Sequence, residues 1–250
     1  MTTFSFRIIT YNIHKGFSVG NRRFVLQQIR DELRLADVDI VFLQEIQGQH
    51  VLHKSKMIDW PNESQFEYMA DRLWPHYAYG KNAIYNAGHH GNAILSKYPF
   101  IHWENLNVSS MRWASRSLLH GVVNIHELRN KLHVICVHLD FMPGQRRRQI
   151  KILNDRIREC VPQDEPLILA GDFNDWRGQV TGYLASDLEL HEVFHDMQGR
   201  HARTFPSWRP FLPVDRIYYR GIKPVECASF VHHPWHKLSD HVPLYAKFEL

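Results

Sequence analysis

The chain has 250 residues, 44% of them apolar and 22% charged, so it can bury a substantial core as one large domain or two small ones. Three cysteines are too few for a disulfide framework, no stretch approaches the ~18 apolar residues of a membrane span, and the N-terminus has no charged region followed by an apolar core. These exclusions leave a cytoplasmic globular protein as the expectation, and a net charge of +4 fits an anionic substrate without requiring one.

Residues 4–11 are rich in β-branched and aromatic side chains and read as a strand, which the chain leaves at Asn12. Asn21 is the expected N-cap of a helix reaching about Leu35, because Val25, Ile29 and Leu33 recur on one face. A strand over 40–43 follows and ends in Gln44, Glu45 and Ile46; the polar residues 47–63 read as a loop. A second helix carries Phe66, Met69, Ala70 and Leu73 and stops before Pro75. Residues 77–90 read as mostly irregular, with room for one short strand. Residues 91–99 form a strand closed by a turn, and 116–123 and 132–138 form two more, joined as a hairpin through 127–131.

Within the run 132–137, Cys136 reads as a buried free thiol, which agrees with a reducing compartment. A helix over about 145–160 turns Ile150, Leu153 and Ile157 inward; its Arg146, Arg147 and Arg148 are expected on a solvated face rather than as a phosphate clamp. A strand over 167–170, helical turns within 180–199, a strand over 214–219 and a closing strand over 244–248 complete the chain. Trp208, Pro210, Phe211, Leu212 and Pro213 are expected in the core; the alternative is an exposed lip meeting a lipid or a base, and Trp176 shares that ambiguity. Strands and helices are interspersed without a compositional break or a repeat, so the expected fold is a single α/β domain over residues 1–250.

Several of the apolar runs end in polar side chains. Asn12 follows residues 8–11, Glu45 follows 40–43, Asp172 and Asn174 follow 166–170, and Asp240 and His241 precede 242–244. A sheet delivers polar groups to one rim in this way. Each is bland alone, since Gly, Asp and Asn also form ordinary turns at strand ends. Together they describe phosphate-ester chemistry. A hard divalent cation takes oxygen ligands, for which Glu45 is the best candidate, supported by Asp240 and by Asn12 or Asp172. Asp172 and Asn174 would hold a water molecule. His241, oriented by Asp215, would act as base or stabilise phosphoryl oxygens, and His138 and Arg116 would supply donors to the phosphate.

The segments Thr10-Tyr11-Asn12, Leu43-Gln44-Glu45, 91–99, Val137-His138-Leu139, 171–174, Val214-Asp215-Arg216-Ile217 and Ser239-Asp240-His241 occur in this order in the endonuclease/exonuclease/phosphatase superfamily, which the chain resembles from about residue 8 to 248. Residues 12–16, 88–92 and 171–176 are most similar to a small bacterial branch of it. The resemblance implies a DNase I-like four-layer α/β sandwich: two packed β-sheets with helices on their outer faces. It implies a Mg2+- or Mn2+-dependent phosphoesterase, cleaving a phosphodiester in nucleic acid or phospholipid, with a small phosphomonoester as the alternative. A non-catalytic binding protein on the same fold is the rival of another class. By motif position Glu45, Asp240 and Asn12 belong to the metal. Asp172 and Asn174 position the water, and His138, Asn174 and Arg116 contact phosphate. His241 with Asp215 contacts the scissile group or acts as base, a role the family divides between His and Asp. Asn92, His14, Lys15, His89 and His90 are expected either at the mouth of the site or in turn and surface roles.

Overall fold

Period-2 alternation of apolar side chains runs along strand after strand, so each sheet has two faces to bury. The computed structural model of the chain describes residues 4–50, 60–85, 88–109 and 116–249. In chain order the strands are β1 (Ser5–Asn12), β2 (Ile40–His50), β3 (His76–Tyr85), β4 (Gly88–Ser96), β5 (Phe100–Asn107) and β6 (Ser117–Val123). They continue with β7 (Leu132–His138), β8 (Leu167–Asp172), β9 (His191–Glu192), β10 (Asp215–Arg220), β11 (Lys223–Ser229) and β12 (Leu244–Glu249). One six-stranded sheet has the order β11-β12-β1-β2-β4-β3, and the other β5-β6-β7-β8-β10-β9. The helices are α1 (Leu26–Leu35), α2 (Gln65–Ala70), α3 (Pro143–Cys160), α4 (Gln179–Leu188), α5 (Val193–Gln198) and α6 (Trp235–Leu238).

Between the sheets lies a core drawn from alternate strand positions: Phe6 and Ile8, Ile40 and Phe42, Val134 and Cys136, Ile168 and Ala170, Ala246 and Phe248. The intervening residues face outward. Ile9, Tyr11, Val41 and Leu43 pack under Leu26, Ile29 and Leu33 of α1 and Met69 of α2. On the other sheet Ile135, Val137, Leu167 and Leu169 pack under Ile150, Leu153 and Ile157 of α3 and Leu184 and Leu188 of α4. The result is the expected four-layer α/β sandwich. Cys136 is buried as a free thiol, as expected, and burial pushes it up to about 12.

Local departures from expectation have local causes. Asn21 does not cap α1: it sits at φ 56° in a short 3-10 turn, and Val25 takes the N-cap position. Phe17 and Phe24 pair across this loop and delay the helix. Helix α2 opens on a Ser64–Glu67 capping box but ends at Ala70, before Leu73. The expected loop over 47–63 starts late, since β2 continues to His50 against β4; residues 51–59 lie outside the described residues. Of the stretch 77–90, residues 86–87 lie outside the described residues, and the described 77–85 and 88–90 are not irregular. They belong to a long antiparallel pairing of β3 with β4, braced by Phe66 stacked on Tyr79. Residues 100–107 add the edge strand β5, where exposure weakens the apolar pattern. Arg147 and Arg148 are solvated, but Arg146 is buried, because the first turn of α3 packs onto the loop after β7. The core reading of the 208–213 segment fails at its two largest side chains, with Trp208 65% and Phe211 56% exposed.

The sheets are mixed in a way that gathers strand ends. In each, one central pair is parallel: β1 with β2, and β7 with β8. Asn12 is registered with Gln44, and His138 with Asp172, so all four strands end at one rim. The neighbouring β12 and β10 run antiparallel and therefore begin there, with Asp215 opposite Asp172. Gly171 permits the β7–β8 approach: at φ 145°, a Cβ there would stand 2.0 Å from the Val137 carbonyl oxygen.

Two predictions follow from this packing. Gly171→Ala lowers stability by about 3 kcal/mol or more. Gly144→Ala, whose Cβ would meet nothing within 4 Å in the first turn of α3, is neutral or stabilising by up to about 1 kcal/mol. Urea unfolding of both measures the contrast, and equal midpoints would count against it. The second prediction concerns the buried pair His120 and His133, whose Nε2 and Nδ1 lie 2.9 Å apart. His133 Nε2 in turn lies 2.5 Å from Glu165. Burial, and then the neighbouring His133, push His120 down to about 4, so it folds neutral. Its contribution is complete above the unfolded value of about 6.5 and is lost as pH falls toward 4, an effect of roughly 3 kcal/mol. Urea titrations from pH 7 to about pH 4 should show that loss, and a His120→Gln variant should lack it.

Candidate active site

Glu45 owes its position to a break in register. Pairing between β2 and β4 slips between Leu43 and Ile46, and Glu45 occupies the bulge at φ 56°, a region costly for a residue with a side chain. His14 and Lys15 also have positive φ, at 45° and 59°. The buried Gln65 joins the two segments, accepting from Gln47 N at 2.9 Å and donating to Lys15 O at 2.9 Å. Lys15 Nζ thereby comes within 3.4 Å of Glu45 Oε2. Burial opposes ionisation of Glu45, but His138, then Lys15, His14 and His241, outweigh it and hold the carboxyl at about 2.

Asp172 is the point where the strands converge. Its Oδ1 accepts from Asn174 N at 2.9 Å, and its Oδ2 accepts from Asn12 Nδ2 at 3.2 Å. The same Oδ2 lies 3.5 Å from His138 Nε2 and 3.9 Å from His241 Nε2. Asn174, at φ 50°, donates through Nδ2 to Leu139 O at 2.9 Å, which commits its amide nitrogen to the backbone. His241 Nδ1 lies 2.9 Å from Asp215 Oδ2, leaving Nε2 as the edge facing Asp172. Asp240 Oδ2 lies 3.4 Å from His14 Nδ1. Ser239 Oγ donates to Asn12 O at 2.7 Å, fastening the last site segment to the first, and lies 3.3 Å from Asp240 Oδ1.

The shared burial sets the charges. Burial and the adjacent Asp215 push Asp172 up to about 7, against the pull of His241. Burial disfavours the charged form of His241, but Asp215 outweighs it through its charge and hydrogen bond, with Asp172 and Asp240 adding to it, and His241 rises to about 10. Burial and then the Arg116 charge push His138 well below its usual range, so it is neutral at pH 7. Arg116 Nε is buried with no hydrogen-bond partner among the described residues.

The sequence candidates Asn12, Glu45, Arg116, His138, Asp172, Asn174, Asp215, Asp240 and His241 therefore act on one another in one region, tied by the contacts and fields above. His14 and Lys15 join them, and His90 feels Glu45, Lys15 and Arg116 while burial pushes it down to about 4. His89 turns elsewhere, bonding Tyr79 Oη at 2.8 Å, and Asn92 is buried, donating to Ser117 O across the sheets at 3.2 Å. Gln65 was not legible as a site component, since only the fold brings α2 to both segments; Ser239 was signalled by its place before Asp240 and His241.

A divalent cation fits this donor set. Glu45, Asp240 and Asn12 offer the oxygens a hard cation takes, and Glu45 is held ionised. Ligand atoms of Asp172, Asp215 and His241 also lie within 4.8 Å of one another. Within that group Asp215 and His241 are already joined by a hydrogen bond through Oδ2 and Nδ1. One prediction follows. The raised His241 contributes stability fully present below about pH 6.5 and lost as pH rises through about 10. Imidazole NMR should find it titrating far above 6.5, and Asp215→Asn should lower it markedly, because burial is then opposed only by Asp172 and Asp240.

The sequence model of the Endonuclease/Exonuclease/phosphatase family matches residues 9–241. An Escherichia coli (strain K12) protein named Uncharacterized protein YbhP is 42% identical over 247 residues, spanning 99% of this chain and 97% of its own. D. rerio TDP2 complexed with single strand DNA product superimposes with a TM-score of 0.73 at 21% identity, over 98% of this chain and 99% of that one. The Bacteroides thetaiotaomicron VPI-5482 mannosyl-6-phosphatase Bt3783 does so with a TM-score of 0.74 at 16% identity, over 97% and 99%. At these identities the two structures speak for the fold alone. The match along most of the chain and the near full-length relative make this protein a member of the Endonuclease/Exonuclease/phosphatase family, which in general hydrolyses phosphoester bonds.

Proposed function

We propose that the protein is a divalent-metal-dependent phosphoesterase that hydrolyses a phosphodiester by in-line attack of water, as one catalytic domain. The observation that carries the reading is the Asp172 carboxylate, held by Asn12 and Asn174 and facing His138 and the Asp215-oriented His241. His241 Nδ1 is engaged by Asp215, so the imidazolium presents Nε2–H as a donor to a phosphoryl oxygen. A cationic His241 is a poor base at neutral pH. Asp172, raised to about 7 and aligned through two hydrogen bonds, is the better acceptor for the proton of the attacking water. Asn174 and neutral His138 border the same space, and Arg116 adds positive charge for the phosphate. Glu45, with Asp240 and Asn12, would hold Mg2+ or Mn2+, which when bound polarises a phosphoryl oxygen as a Lewis acid. The free thiols agree with a cytoplasmic setting, and among the described residues no helix is long and apolar enough to cross a membrane.

The test is Mg2+-dependent hydrolysis of labelled abasic and plain DNA, of phospholipid vesicles and of small phosphomonoesters, side by side. The TDP2 complex with a single strand DNA product and the mannosyl-6-phosphatase make nucleic acid and a small monoester worthwhile arms of that panel. Asp172→Asn and His241→Gln should each lower kcat by about 10²–10⁴-fold. Glu45→Gln should raise the Mg2+ needed for half-maximal rate by at least about tenfold. Chelation by EDTA should abolish turnover, and turnover surviving both EDTA and Asp172→Asn would overturn the reading.

A further inference from the structure

Three of the segments that carry the site leave the same sheet: 138–142 after β7, 172–178 after β8, and 213–215 before β10. One further rung, Leu139 N to Asp172 O at 2.8 Å and Phe173 N to Val214 O at 2.9 Å, carries the pairing past the strand ends, and beyond it the ladder stops. From there a buried group of charges holds the segments. Asp175, Arg146 and Arg216 are 1%, 4% and 1% exposed. Arg146, from α3, donates through Nη1 to Asp140 O at 3.2 Å and Phe141 O at 3.0 Å, and its Nη2 lies 3.7 Å from Asp175 Oδ1. Arg216, from β10, donates through Nη1 to Pro213 O and to Asp215 O, the latter at 3.1 Å, and through Nη2 to Asp175 O at 3.0 Å. Asp175 Oδ2 accepts from Val180 N at 2.8 Å, fixing the start of α4. Each guanidinium thus joins one site segment to the residue following Asn174.

We propose that the Arg146–Asp175–Arg216 cluster is a positioning element that sets the catalytic geometry of Asn174 and the Asp215–His241 pair, resting on the phosphoesterase reading above. Two buried guanidiniums, one facing the Asp175 carboxylate and the other only backbone carbonyls, are a costly way to gain stability alone, because an apolar replacement avoids their desolvation. Their geometry answers a different need. Planar, multidentate donors bridge carbonyls on separate loops at fixed separation, which lysine cannot reproduce. The couplings are short. Arg146 holds the carbonyls next to Leu139 O, the acceptor of the Asn174 amide. Arg216 holds the carbonyl of Asp215, whose carboxylate meets His241. Neither arginine takes part in the contacts around Asp172, so each acts through its neighbours.

The experiment uses the full chain with Mg2+ and bis(p-nitrophenyl) phosphate as probe, comparing wild type with Arg146→Met, Arg216→Met, their double variant, Arg146→Lys, Arg216→Lys and Asp175→Asn. Each Met variant should lose at least about 30-fold in kcat with KM within about threefold, and Lys should restore only part. The double variant should lose more than either single one, because Arg146 acts toward Asn174 and Arg216 toward the Asp215–His241 pair. Side-chain NMR reads the geometry independently of turnover: Arg216→Met should move the His241 imidazole signals, and Arg146→Met the Asn174 amide signals. Folded variants with unchanged kcat and unchanged His241 and Asn174 signals would overturn the proposal. If a Met variant fails to fold, the folded Lys and Asp175→Asn variants decide it by the same two readings. If wild type hydrolyses no phosphoester, the functional reading falls and the NMR comparison alone decides the positioning role.

Discussion

The pairing of two strands in parallel at the centre of each sheet is the constraint on which the rest depends. A parallel pair sends both its C-terminal ends to one edge, whereas an antiparallel pair sends only one. With β1–β2 in one sheet and β7–β8 in the other, four polar strand ends meet where the sheets face each other. The antiparallel β12 and β10 then bring Asp240, His241 and Asp215 to that edge from the opposite direction. Gly171 is part of the same constraint, because the close β7–β8 approach leaves no room for a side chain there.

Gathering so many ionisable groups at a buried rim is electrostatically expensive, and the structure distributes the expense unevenly. Asp215 is committed to the His241 imidazolium at a hydrogen-bonded distance. Burial and Asp215 outweigh the pull of His241 and leave Asp172 raised to about 7, while Glu45 is held ionised by its neighbours. Two carboxylates within one site thus acquire opposite characters from their surroundings alone. The strained backbone at His14, Lys15, Glu45 and Asn174 is concentrated in the same region. Such strain persists only where the surrounding hydrogen bonds over-determine it, as Gln65 and Asn12 do here.

Much of this was legible one segment at a time. The strands that build the site are the most apolar and the most regular, so both their existence and the polar residues ending them stood out in β1, β2, β7 and β8. The strands that were not legible lie at or near a sheet edge. β3 mixes Tyr, Gly, Lys and Asn, and β5 is half exposed; neither shows the clean alternation that made most of β4 legible from residue 91. The run Arg146-Arg147-Arg148 was ambiguous for another reason. Charge on a helix usually faces water, and nothing local distinguishes the one arginine whose position on α3 points it at Asp175.

What the sequence by itself determined is the alternation of strands and helices, the order of the motifs and the chemical identity of the groups at strand ends, because these depend on local periodicity and side-chain type. Tertiary structure alone decided which of those groups touch. Asn12 and Asp172 are 160 residues apart, and Ser239 lies 227 residues from the Asn12 carbonyl it fastens, yet each pair is joined by a hydrogen bond. The charge states of Asp172, His241 and Glu45 belong to the same category. A pKa is set by burial and by neighbouring charges, and both come into being only when distant segments pack together.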